Sequence, residues 1–162
     1  MQGYPGELTD ENVSHIFRDA ADFIRRELQC GEHKLYAYAI DGLIAGGDAS
    51  EYVFRPISQH LAAPTMASLY QYALTGMIYN SVAVAAEDLN AAASLLVNGF
   101  CVVLFPGAGA IGFEVKTPDK RGTAPPQVEN TVKGAKDAFV ETVRSNTSYV
   151  RRHLRSPDLR IF

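Results

Sequence analysis

A chain of 162 residues, 47% of them apolar, with eight Phe and eight Tyr, can bury one core or two small lobes, which excludes disorder over most of its length. A formal net charge of −3 removes the general case for nucleic-acid binding, and Cys30 and Cys101 form no C-x-x-C, with too few histidines grouped closely enough for a zinc site. No apolar run reaches the ~18 residues a membrane helix needs, and a polar, acidic amino terminus is not a signal peptide, so the chain reads as soluble with two free thiols.

Residues 8–21, LTDENVSHIFRDAA, read as an opening helix capped by Thr9 or Asp10, with Val13, Ile16, Phe17 and Ala20 as its buried stripe. FIRREL (23–28) and KLYAYAI (34–40) read as two strands of a hairpin, with Gly31 available for the turn. Asp41-Gly42 then supplies a side-chain acceptor and a permissive backbone for a change of direction. Residues 49–61 look helical with an interruption near Arg55-Pro56, and a further helix covers 64–75 behind Pro64.

SVAVAA (81–86) reads as a strand, and EDLNAAASLLVNG (87–99) as a helix stopped at Asn98-Gly99. FCVVLF (100–105) is a strand by its branched and aromatic content, and 110–117 alternates with a period of two. Residues 117–127 hold three prolines and read as a loop or extended crossing. From Lys136 to Leu154 an amphipathic helix is expected to turn Phe139, Val143, Ser145 or Asn146, and Val150 inward and to display Arg144, Arg151 and Arg152. The expected fold is α/β in the sense of a mixed α+β chain. It would have two small lobes, residues 1–80 and 81–162, each with a short mixed sheet and packed helices.

GAGAIG (107–112) spells the G-x-G-x-x-G fingerprint of a dinucleotide site directly after a strand. That fingerprint works because its third glycine lies in a helix whose free N–H groups hold a pyrophosphate. Here the residues after Gly112 alternate as a strand and Pro118 follows six positions on. The string therefore reads as a glycine-rich hairpin turn over Pro106–Gly109, and no cofactor is expected.

Other candidates for chemistry are sparse. His15, His33, His60 and His153 have no close sequence partner, Ser50, Ser81 and Ser94 lie in no nucleophile-elbow frame, and Glu87-Asp88 sits where a helix start favours negative charge. Asp41 occupies a frequent address for a catalytic acid, at the end of a buried strand, but its Gly42 neighbour favours a turn. Charge is distributed unevenly. Residues 133–160 hold seven Lys or Arg against three acidic residues, leaving eight basic and fifteen acidic residues elsewhere. Arg151, Arg152, Arg155 and Arg160 fall within ten residues, and with Arg144 they are the candidate contacts for anionic headgroups or an acidic partner.

Three stretches resemble the GerA family of spore germination proteins. YAYAIDGLI (36–44) is similar to the family's "YIDGL" signature, and NGFCVVLFPGAGAIGFEV (98–115) to its glycine-containing hairpin. ENTVKGAKDAFVETVRSNTSYVRRHLRSPDLRI (129–161) resembles its long carboxy-terminal run. The matching residues include Asp41, Gly42, Gly99, Glu129, Gly134, Phe139, Glu141, Asn146, Arg151 and Arg152. Departures are Gly134-Ala135-Lys136 for the usual "G-P-R", Arg121 with Pro125-Pro126 for "R-x-x-x-E-P", and Arg151-Arg152-His153 for "R-R-R".

The resemblance implies a non-enzymatic cytoplasmic amino-terminal domain of a germinant receptor A subunit, or of its stage V sporulation relative. In such proteins this domain precedes membrane helices of the inner spore membrane. It also implies a role in receptor assembly and signal transmission, with B-type and C-type subunits as partners. The basic carboxy-terminal helix would then lie next to anionic lipid. Two readings of other classes stand beside it: a small-molecule binding module with its ligand between the lobes near Asp41, and an enzyme whose site sequence does not reveal.

Overall fold

The computed structural model describes residues 3–44, 49–59, 63–75, 82–115 and 143–162. Thr9 opens helix α1 (Asp10–Ile16) by accepting the Asn12 N–H on its side chain, and Val13 and Ile16 are buried beneath it. Strands β1 (Phe23–Cys30) and β2 (His33–Ile40) follow as an antiparallel hairpin in full register, from Phe23 opposite Ile40 to Cys30 opposite His33. Gly31 takes φ +62° in the connecting turn, a conformation that strains any residue with a Cβ.

The interruption expected near Arg55-Pro56 is a change of helix type. A π-helical turn over Ser50–Phe54 gives way to α2 (Arg55–Gln59), and the Arg55 N–H reaches back five residues to the Ser50 carbonyl. Proline at position 56 has no N–H to continue that pattern. Helix α3 (Met66–Thr75), strand β3 (Ala83–Ala86), helix α4 (Leu89–Val97) and strands β4 (Phe100–Phe105) and β5 (Gly109–Glu114) complete the body. Asp88 caps α4 by accepting the Ala91 N–H at 2.7 Å, so the acidic pair at 87–88 marks a helix start. GAGAIG forms the turn and first residues of β5, with Phe105 opposite Gly109 and φ +80° at Gly107.

The five strands form one antiparallel sheet in the order β1-β2-β4-β5-β3. This corrects the expectation of two short mixed sheets, one in each half of the chain. The α/β character holds, but β2 pairs with β4 through Tyr36–Leu104, Ala37–Val103 and Tyr38–Val102, which joins the halves. The pairing closes the inner edges of both hairpins, which would otherwise carry unpaired backbone groups. The cleft between separate lobes, expected as a ligand site, loses its basis with that arrangement. The expected boundary near residue 80 lies outside the described residues.

Alternate residues of the central strands feed two apolar clusters, one on each face of the sheet. Leu35, Ala37, Ala39, Cys101, Val103, Phe105, Ile111 and Phe113 pack against Val53, Ile57, Leu69 and Ala73 from the π/α2 and α3 side. Tyr38, Ile40, Val102, Leu104 and Ala110 pack against Val13, Ile16 and Phe17 and against Leu89, Ala92, Ala93, Leu96 and Val97 of α4. Helix α4 lies so close to β5 that a Cβ on Gly112 would come within 2.8 Å of Leu95 Cδ1.

The last described element is α5 (Val143–His153), followed by an irregular tail to Phe162. Residues 136–142 of the long helix expected there, and the loop expected over 117–127, lie outside the described residues. Among the described side chains, none from 146–162 belongs to either apolar cluster.

Candidate functional site

Helix α5 and its tail meet the body where β1 begins and β2 ends. Gly42 follows β2 in a turn with φ +84°, which turns its carbonyl to accept the Ser148 hydroxyl at 2.8 Å. The Asp41 N–H donates to the Asp22 carbonyl at 2.7 Å, tying the residue before β1 to the residue after β2. Asp22 sends its carboxylate toward α5. Arg151 Nε and Nη2 each donate to one of its oxygens at 2.7 Å, and Arg151 Nη1 donates to the Ser156 carbonyl at 3.3 Å. Both partners are buried, the guanidinium completely. A bidentate pair of this geometry fixes both position and orientation of the helix.

The tail adds further ties. The Ala21 N–H donates to the Ile161 carbonyl at 2.7 Å, and the Tyr4 hydroxyl to Asp158 Oδ1 at 2.6 Å. Arg155 Nη1 donates to Asn98 Oδ1 at 3.2 Å, at the end of α4. Burial, and then the bond to the Asp158 carboxylate, push Tyr4 up to about 12, with the Arg160 charge pulling the other way.

This arrangement overturns the expected role of Arg151. It was expected on the outside of the helix, as a contact for lipid or a partner, and instead it is fully buried against Asp22. The inward face of α5 is polar, Ser148 and Arg151 at a spacing of three, because Gly42 and Asp22 present an acceptor and a carboxylate there. Val150, expected inward, is half-buried. Arg155 is exposed, Arg152 half-buried, and Arg160 half-buried with its Nη1 donating to the Pro157 carbonyl at 2.7 Å. Arg144 lies in the first turn of α5, and Asn146 further along the same helix. Gly99 ends α4 at φ +85°. Glu129, Gly134, Phe139 and Glu141 lie outside the described residues, as does His60.

Sequence reasoning missed Asp22, Ser148, Tyr4 and Asp158. Asp22 offered one faint signal, an acidic residue wedged between the apolar end of the first helical segment and a strand. Its partner lies 129 residues away, beyond the reach of any local pattern.

A second charged group links α1 to the β1–β2 hairpin. Arg25 donates twice to Asp10, at 2.8 and 2.6 Å, and stacks over the Tyr36 ring, while the Tyr38 hydroxyl donates to Asp10 at 2.7 Å. Arg25 holds the Asp10 carboxyl below its ordinary value against an opposing effect of burial, and burial raises Tyr38. Every member is engaged in holding α1 to the hairpin. Among the described residues no group of three or more His, Cys, Asp or Glu could hold a metal, and no helix is long and apolar enough to cross a membrane.

The junction brings together two of the three segments that carry the family resemblance, Asp41-Gly42 and the run through Asn146, Arg151 and Arg152. The chain is similar in fold to the crystal structure of the N-terminal domain of the A subunit of the Bacillus megaterium spore germinant receptor GerK3. The TM-score is 0.66 with 17% identity, covering 99% of this chain and 60% of that one. An uncharacterized membrane protein of Bacillus subtilis strain 168, YfkQ, is 21% identical over 153 residues, 93% of this chain. Stage V sporulation protein AF of the same organism is 33% identical over 76 residues, 46% of this chain. The matched regions span 29% and 15% of those two relatives. Residues 11–162 match the model of the Bacillus/Clostridium GerA spore germination protein family, and the chain belongs to that family.

Proposed function

We propose that this chain is the amino-terminal domain of a membrane-embedded spore germination protein, acting without catalysis in receptor assembly and in transmitting the germination signal. The observation that carries this reading is the meeting of Gly42 with Ser148 and of Asp22 with Arg151. Among the described residues, the polar groups that converge here bond to one another, as in a mechanical joint. Family membership supports germination as the process, and the GerK3 likeness supports the A-subunit domain as the part.

The same reading puts the domain on the cytoplasmic side of the inner spore membrane, with B-type and C-type subunits as partners. Arg152, Arg155 and Arg160 are its candidate contacts for anionic lipid. Leu154, 57% exposed, stands among them, and an exposed apolar group beside basic ones suits a headgroup boundary. The test is affinity purification of the tagged full-length protein from detergent-solubilised spore membranes. Co-purification of B-type and C-type subunits in stoichiometric amounts is expected. Recovery of the protein without them would overturn the assembly role.

A further inference from the structure

We propose that residues 143–162 form a latch, docked on the sheet chiefly by polar bonds, that releases as a unit while the sheet and its helix layers stay folded. Each of α1 to α4 sends side chains into one of the two apolar clusters: Val13 and Ile16, Ile57, Leu69 and Ala73, and Leu96 with its neighbours. None of these helices can leave without exposing apolar surface to water. Of the described latch side chains, those of 146–162, none belongs to either cluster. Among the described residues its ties to the body include Ser148 to Gly42, Arg151 to Asp22, Arg155 to Asn98, Asp158 to Tyr4 and Ile161 to Ala21. On release each donor and acceptor exchanges its partner for water, so the net cost is far below the gross strength of the bonds.

Two features make the release cooperative. The Arg151 fork engages Asp22 with two nitrogens and the Ser156 carbonyl with the third, so helix and tail depend on one guanidinium. The described ties also reach four separate parts of the body, the amino-terminal stretch, the approach to β1, the turn after β2 and the end of α4. A partial shift of the latch breaks several at once. Release bares the Asp22 carboxylate, the Gly42 carbonyl and the Ala21 N–H together, on the side of the domain where two of the family-like segments meet. The inference rests on these contacts and stands apart from the assembly reading.

Native-state hydrogen exchange on the unmodified chain at low denaturant tests it. The amides of 147–154, together with the Ala21 amide on the body side of the joint, are expected to share one opening. That opening should be at least about tenfold more populated than the one exposing the Val102 and Val103 amides, with a weaker denaturant dependence because little surface is uncovered. Ser148→Ala and Asp22→Asn are each expected to speed exchange of the latch amides and of Ala21 several-fold or more, with Val102 and Val103 unchanged. Latch amides that open only with the strands, at the same rate and denaturant dependence, would overturn the proposal. So would equal loss of protection in latch and strands in the Ser148→Ala variant.

Discussion

Asp22 and Arg151 stand 129 residues apart and meet through two hydrogen bonds of 2.7 Å, with the guanidinium wholly excluded from solvent. Burying two charges costs desolvation that their attraction offsets only while both are present. Asp22→Asn or Arg151→Met alone therefore removes about 3–5 kcal/mol from the docked state. The double variant Asp22→Leu with Arg151→Met is expected to recover much of that loss, because an apolar pair leaves no stranded charge. Exchanging the two residues should fail, since a carboxylate at 151 would face the Ser156 carbonyl that Arg151 now satisfies. Protection of the latch amides in a double-mutant cycle measures all three outcomes.

Gly42 carries the backbone half of the same joint. At φ +84° an added Cβ is strained whatever space surrounds it, so Gly42→Ala is expected to cost about 1–2 kcal/mol. Gly112→Ala tests a different cause. Its Cβ would meet Leu95 Cδ1 at 2.8 Å, and pairing it with Leu95→Ala should ease the clash, where no second substitution eases Gly42→Ala. Urea unfolding of the four variants separates strain from crowding.

The strands and helices were legible because their signals are local. Val13, Ile16 and Phe17 repeat at helical spacing, FCVVLF is apolar and branched, and Pro118 denied GAGAIG the helix that a pyrophosphate site needs. Strand order was not legible, since nothing near Tyr38 announces Val102 as its neighbour, and two lobes became one sheet. Arg151 misled for a related reason. Composition counts charges without direction, and one inward arginine among outward ones differs only by the Asp22 that awaits it. Gly42 was marked correctly as a turn, while the role of its carbonyl depended on Ser148, 106 residues on.

Stability should fall at both ends of the pH scale for separate reasons. Arg25 lowers the Asp10 carboxyl in the folded state, so its contribution is present above the ordinary carboxylate value of about 3.9 and fades as pH drops through the lower folded value. Tyr4 is raised to about 12, so its contribution is present below the ordinary tyrosine value of about 10 and fades as pH climbs through 12. Asp10→Asn is expected to flatten the acid limb of a stability-against-pH profile. Tyr4→Phe should flatten the alkaline limb in part, with burial-raised Tyr38 supplying the remainder.

The proposed lipid contact would assign different duties to neighbouring arginines. Flotation with anionic vesicles is expected to be salt-sensitive and to fall at least about tenfold in the double variant Arg152→Glu, Arg155→Glu, because charges near a bilayer act additively. Asp22→Leu with Arg151→Met should bind as the unmodified chain does, since the buried pair presents no charge to the surface. Equal loss in both double variants would assign the basic cluster to the joint instead of to lipid.

The two thiols give an independent reading of the body. Burial pushes Cys101 up to about 12 and raises Cys30, and both lie in the apolar cluster on the α2 and α3 face. Neither offers a thiolate near neutral pH, so labelling by a disulfide reagent must wait for the strands to open. Asp22→Asn is expected to speed tryptic cleavage after exposed Arg155 while leaving Cys101 labelling at the rate of the unmodified chain. A destabilised core variant such as Leu69→Ala should do the reverse in proportion, accelerating labelling by the full extent of its loss, about 2–5 kcal/mol at a fully buried site. The two probes then divide the molecule along the line that its contacts draw, with apolar packing on one side and Asp22–Arg151 on the other.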